Sequence, residues 1–449
     1  MLLSELTHRI IEASIDDPKY GEGAKFIIGG GTVNGTKVAN AIKQVNPNFK
    51  IDAPVTKLLT KSGPEVAIGT GRQLEVTLKD ENGATITIVG SGSVIRSGFN
   101  NYKGEATGVG NRGEIAEGVL GAAMVAKFAK RTPDGIGAIT VSDINEVLNS
   151  LSKSGVDEYT ATLPGKEGAN KDTLVFVLKL KTVPFKDLMD PNKRDLIADL
   201  FSSAEGYANS KMASKYADYF YKNYQNDLIK VISDGISYES GRKTDVYVEV
   251  ESPIGSKSRL TKLDVSLKAG PVKQFGQVGG AGFDKLEGLF RTFGIDISSL
   301  QTQFNEIQDK TEALQLVYSE AANALTKRMT GDEREEAFIK EVVKGINYFG
   351  TLNDPNIKLV QFDKGAYSVI DFSKLESMID KIDMVATVVL DKNGRPQIRI
   401  ADSQTGERFL TIRSKIENKT GKDGNPYQYI RNVIEKEPLL SKMAKVKTD

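Results

Sequence analysis

Lys243-Thr244-Asp245-Val246-Tyr247-Val248-Glu249-Val250 and, further along, Leu263-Asp264-Val265-Ser266-Leu267-Lys268 decide the fold of the middle of this chain. In both stretches apolar residues alternate with polar ones, the period of two that belongs to strands. Between them, Ser252-Pro253-Ile254-Gly255-Ser256-Lys257-Ser258 breaks the pattern with Pro, Gly and Ser and reads as a turn. The expectation is an antiparallel hairpin, with Asp245 at the start of one strand lying beside Lys268 at the end of the other.

A carboxylate next to an ammonium at a strand end is the least equipment for metal-assisted phosphodiester chemistry. The acid holds a divalent cation, and the lysine orients a water or offsets phosphate charge. The plainer reading is a surface hairpin in which Asp245 caps a turn and Lys268 is a solvated charge. A second acid comes from the helical stretch Asn111 to Met124, where Glu117 shares a face with Leu120, Met124 and Phe128. A carboxylate on a buried helix face needs a partner, which a metal or a lysine would supply. Glu114, one turn earlier, lies near the same face. Alternatively, both glutamates simply favour the positive N-terminus of the helix.

Asp245 on one strand, and Ser266-Leu267-Lys268 on the next, resemble the PD-(D/E)xK nuclease superfamily, the restriction-endonuclease-like fold. The resemblance covers about thirty residues and the helix that follows. It departs from the pattern at Ser266, where the triplet usually carries Asp or Glu. What it implies is a mixed α/β (α+β) protein with a restriction-endonuclease-like core, plus a β-rich N-terminal and a mixed C-terminal addition. It also implies Mg²⁺- or Mn²⁺-dependent hydrolysis of DNA. Asp245 and Glu117 (or Glu114) would be the metal ligands, Lys268 would position water, and Ser266 would complete the shell.

Composition narrows the alternatives. The chain has 449 residues, 39% hydrophobic and 27% charged, enough for two or three domains. A net charge of +1 confines any DNA contact to local patches. With no cysteine, thiolate metal sites and cysteine nucleophiles are excluded, and one histidine, His8, makes a Ser-His-Asp triad improbable. No apolar run approaches membrane-spanning length, and the first residues lack the character of a signal peptide, so the cytoplasm (or a virion, for a phage protein) is the expected location.

Along the chain, the expected domains are 1–110, β-rich; 111–300, the nuclease-like core; and 301–449, helical and then β-rich. Residues 1–20 read as one helix, and 74–78 with 85–89 as a hairpin. A helix is expected over 114–130, another near 142–153, and a strand over 174–180. Residues 193–235 read as mainly helical, as do 281–293 and 299–350. Strands follow at 384–390, 397–400 and 408–412, with a turn at Asp391-Lys392-Asn393-Gly394. Gly108 to Gly113 spells GxGxxG without the buried strand that a dinucleotide site requires. Gly30 to Lys37 nearly spells a P-loop, but its lysine and hydroxyl are swapped.

Lys273 and Gln274, in a glycine-rich stretch, and Arg399 and Arg413, on C-terminal strands, are the candidate DNA contacts. Lys257, Arg259 and Lys262 add basic charge to the hairpin. Two rival readings remain: a catalytically inactive DNA-binding or virion-associated protein of the same fold, and an assembly protein whose first hundred residues mediate homo-oligomerisation.

Overall fold

The computed structural model describes residues 12–14, 25–27, 38–39, 42, 55–58, 73–79 and 85–91 of the first part of the chain. From 109 onward it describes everything except 133–134, 164–173, 225–226, 236–243, 252–256, 281, 376, 378–382, 421–425 and 447–449. The chain divides into two compact units, Met1–Val109 and Gly110–Asp449.

The first unit contains strands β1 (Glu12–Ser14), β2 (Lys25–Ile27), β3 (Val55–Leu58), β4 (Gln73–Lys79) and β5 (Thr85–Ser91), ordered β1-β2-β5-β4-β3. The expected hairpin is present: β4 and β5 pair antiparallel, Val76 against Ile88 and Leu78 against Ile86. Ile86 and Ile88, two apart on one face, are buried, and Val89 on the opposite face is buried as well. The expectation of a single helix over 1–20 fails at Glu12–Ser14, which pairs parallel with Lys25–Ile27. Sheet pairing there overrides the amphipathic pattern. His8 and the Gly30–Lys37 stretch lie outside the described residues.

The second unit opens with helix α1 (Arg112–Ala129), whose Asn111 side chain accepts the Gly113 N–H at 3.1 Å as a cap. Then come β6 (Arg131–Thr132), β7 (Gly135–Ile136), α2 (Val141–Asn149), β8 (Ser152–Gly155), β9 (Glu158–Leu163) and β10 (Leu174–Lys179). Helices α3 (Thr182–Met189), α4 (Arg194–Ala208) and α5 (Lys211–Asn223) lead to β11 (Leu228–Asp234), β12 (Val246–Glu251), β13 (Lys257–Ala269) and β14 (Gln274–Gly280). Four helices follow: α6 (Phe283–Thr292), α7 (Gln301–Glu306), α8 (Lys310–Met329) and α9 (Glu336–Thr351). The chain then forms β15 (Lys358–Asp363), β16 (Ala366–Ile370), β17 (Met384–Leu390), β18 (Pro396–Asp402), β19 (Arg408–Thr420), β20 (Pro426–Lys436) and α10 (Pro438–Ala444).

Beside the small β6–β7 pair, two larger sheets organise these elements into a mixed α+β unit. The larger has the order β16-β15-β13-β12-β11-β10-β9-β8, and the smaller β14-β20-β19-β18-β17. In the larger, β10 and β11 are parallel, β12 runs antiparallel to both β11 and β13, and β15 runs parallel to β13. Helix α1 lies against β10, β11 and β13. It approaches so closely that a Cβ on Gly121 would stand 2.0 Å from Ser233 Oγ and 2.7 Å from Phe176 Cε2. The small residues Gly118, Gly121, Ala122 and Ala123 make that approach possible.

The smaller sheet packs with α6, α8 and α9 over a core rich in aromatic residues, among them Phe283, Phe290, Phe293, Phe304, Tyr318 and Phe338. Tyr318 donates to Asn432 Oδ1 at 2.8 Å inside this core. The reading of 193–235 as mainly helical holds through α4 and α5 and fails only at its end. Residues 228–234 are strand β11, whose apolar residues sit in the middle of the larger sheet, where cross-strand burial decides the conformation.

Candidate functional site

Strand directions bring one set of ends to one edge of the larger sheet. The C-terminal ends of β10, β11 and β13 and the start of β12 meet there, together with the first turns of α1. Asp245 immediately precedes β12. Its N–H donates to Val265 O at 2.7 Å, and its carbonyl accepts the Asp234 N–H at 3.0 Å. Its carboxylate Oδ2 accepts the Leu267 N–H at 2.5 Å. The hairpin is antiparallel as expected, and continuing the Val246–Val265 pairing sets Asp245 opposite Ser266. Its turn, 252–256, lies outside the described residues, as do the side chains of Lys257, Arg259 and Lys262.

Glu117 and Glu114 point toward this edge from α1. A Cβ on Gly235, just past β11, would stand 2.9 Å from Glu117 Oε2 and 3.2 Å from Glu114 Cγ. The helix is fastened there by Ser233, whose hydroxyl donates to Glu117 O at 2.9 Å. Glu114 is 3% exposed; its Oε1 accepts from Asn111 Nδ2 at 2.8 Å and faces Lys181 Nζ at 3.5 Å. Glu114 Oε2 and Glu117 Oε2 are both sealed from solvent without a hydrogen-bond partner. Buried carboxylate oxygens in that condition are costly unless a cation or proton joins them.

The electrostatics agree. Burial pushes the Glu117 carboxyl well above the usual carboxylate range, and the charge of Asp245 pushes it further. Lys268 opposes that rise, while Glu114 and Asp234 add to it. Three acidic side chains, Asp245, Glu114 and Asp234, therefore act on Glu117. Lys268 is the cation acting directly on it, with Lys181 by Glu114 and Lys179 at 3.8 Å from Asp234.

The edge thus gathers Asp245, Ser266, Lys268 and Glu117, and it adds Asp234, Lys179 and Lys181, which the sequence reading did not single out. Asp234-Gly235 closing an apolar run was the available signal for the first. Among the described residues, no three Asp, Glu or His side chains stand around one point as metal ligands.

The four candidate DNA contacts are elsewhere. Lys273 pairs with Glu437 at 2.7 Å, and Gln274 bonds to Gln277 at 3.0 Å. Arg399 and Arg413 belong to β18 and β19 of the smaller sheet, and Arg413 pairs with Glu435 at 2.6 Å. No protein-family model, curated protein or solved structure matches the chain.

Proposed function

We propose that the acid–lysine edge is a divalent-cation site for hydrolysis of DNA phosphodiesters, in a core resembling the restriction-endonuclease-like fold. The observation that carries the reading is the pair of sealed, partnerless carboxylate oxygens on Glu114 and Glu117, in a cluster where neighbouring acids repel the Glu117 charge. Asp245 and Glu117 suit Mg²⁺ or Mn²⁺, hard cations that take carboxylate oxygens and keep several waters. When bound, such an ion polarises the phosphoryl oxygen and acidifies water.

The chain's own groups do the rest. The Leu267 N–H fixes the Asp245 carboxylate, and the Ser233 hydroxyl fixes the α1 backbone at Glu117. Lys268, half-buried on β13, supplies positive charge for a pentavalent phosphate and a donor to hold the attacking water. Ser266 offers a neutral hydroxyl where a third acid is usual, and Asp234, at the end of β11 on the far side of β12, brings negative charge back to the cluster.

A second reading, a DNA-binding or virion-associated protein without activity, is favoured by Ser266 and by the lack of a three-acid ligand set among the described residues. Incubation of supercoiled plasmid with the purified protein and Mg²⁺ or Mn²⁺ separates the two. The nuclease reading expects nicked or linear product that EDTA prevents. It also expects Asp245→Asn and Lys268→Ala to lose at least about a hundredfold in rate. Equal cleavage by Asp245→Ala, with contaminating nuclease excluded, removes the site assignment. No cleavage by the wild type with either ion favours the second reading.

A further inference from the structure

Lys268 stands beside Gln361 of β15, on strands about 4.8 Å apart. Beyond it the chain turns at Gly270 (φ 90°), and Pro271, Val272 and Lys273 run along a cleft of about 380 Å³. Gln361, Tyr367, Ser368, Lys436 and Ser441 also line it, and its size falls within the range of small-ligand sites.

Lys436, at the end of β20, is only 5% exposed. Its ammonium donates to Val272 O at 2.9 Å and Gln361 Oε1 at 2.8 Å, both neutral oxygens. The neighbouring carboxylate of Glu437 is already engaged, by Lys273 Nζ at 2.7 Å and by the Thr411 hydroxyl at 2.9 Å. Asp363 is the other acid in the lining. An ammonium has three donors, so one remains for a ligand. A buried cation held by neutral acceptors is undercompensated. Burial, reinforced by Lys273 and opposed by Glu437, accordingly brings the Lys436 pKa down to about 8.

We propose that this cleft binds the phosphate ester of a nucleotide, with Lys436 as its buried cation, Lys273 at its rim, and the Ser368 and Ser441 hydroxyls as further donors. That the nucleotide belongs to the strand being cut rests on the function proposed above. A nucleic-acid strand carries a phosphate about every 3.4 Å of axis, so a strand seated at Lys268 brings flanking phosphates to a cleft one strand away.

The test measures binding in EDTA, where nothing is cleaved, using a fluorescein-labelled 12-nucleotide single strand and, separately, dTMP. The full-length wild type is expected to bind, and Lys436→Met to bind at least about tenfold more weakly, as loss of a charge-assisted contact implies. Lys436→Arg is expected to recover most of the affinity. Ser441→Glu, which keeps both lysines but places an anion in the lining, is expected to weaken binding as well. Weakening for both probes assigns a mononucleotide site, and weakening for the 12-mer alone assigns a strand site. Unchanged affinity in Lys436→Met and Ser441→Glu overturns the proposal, as does the absence of saturable binding to the wild type. A purely structural Lys436 would lower Tm and leave Kd unmoved. A protein that cuts no DNA yet shows Lys436-dependent binding would keep the cleft and lose only the nuclease reading.

Discussion

Gly121→Ala tests how tightly the acid-bearing helix is seated. The added methyl would meet Ser233 Oγ at 2.0 Å and Phe176 Cε2 at 2.7 Å, whereas ordinary contact begins near 3.4 Å. The Ser233 hydroxyl must rotate away, and the helix or the Phe176 ring must give by roughly 0.7 Å, at an overpacking cost of about 1–3 kcal/mol. Losing the hydrogen bond from Ser233 to Glu117 O adds about 1 kcal/mol, and the better helix propensity of alanine returns about 1 kcal/mol. The expected result is a fall in Tm of roughly 1–4 °C by differential scanning fluorimetry. On the function proposed above, a shift of about 1 Å in the helix that carries Glu114 and Glu117 costs cleavage on the order of a hundredfold. Ser233→Ala in the same chain removes the closest clash but not the Phe176 contact. The double variant should therefore recover part of the stability, with a coupling of about 0.5–3 kcal/mol. A Gly121→Ala protein that melts with the wild type, or a double-mutant cycle with no coupling, refutes the close seating of α1.

Other expectations follow from the same geometry. Glu117 holds its proton more tightly in the folded chain than in the unfolded one. Stability should therefore decline as pH rises from the ordinary carboxylate range through its raised value. Glu117→Gln should flatten that decline and melt above the wild type at pH 8 without metal, as Tm measured against pH will show. Ser266→Asp adds an acid opposite Asp245, and should lower Tm without metal and restore it with Mn²⁺; an unchanged Tm in both conditions would place residue 266 outside the site. Tyr318→Phe leaves Asn432 Oδ1 without its donor in the core of the smaller sheet, and should cost about 1–3 kcal/mol in urea unfolding while leaving metal binding unchanged.

Much of the acid–lysine edge is legible in the sequence because its parts are local. Asp245 and Lys268 open and close strands of clear alternation, and Glu117 follows a capped helix start, so each could be placed without knowing the whole sheet. Asp234 was hidden by its surroundings. The tyrosine-rich helices before it carry a 3.6 period that masks the onset of β11, and only pairing with β10 and β12 makes 228–234 a strand. Lys179 and Lys181 look like ordinary charges at a strand end until α1 brings Glu114 to one and β11 brings Asp234 to the other. Arg413 illustrates the same limit. Its charge was visible, but its partner Glu435 comes from the neighbouring strand β20, and that register is not written in either segment alone. Lys436 drew no attention because a lysine near a chain's end reads as solvated; its burial arises from the meeting of β20, β15 and the turn after β13.

Calorimetric titration of Mn²⁺ into the full-length protein near neutral pH, repeated in two buffers of different ionisation enthalpy, puts the central claim to its most direct test. The account predicts saturable binding with proton release from Glu117, and loss of that binding in Asp245→Asn and Glu117→Gln. No saturable binding to the wild type, or equal binding by both variants, would contradict it.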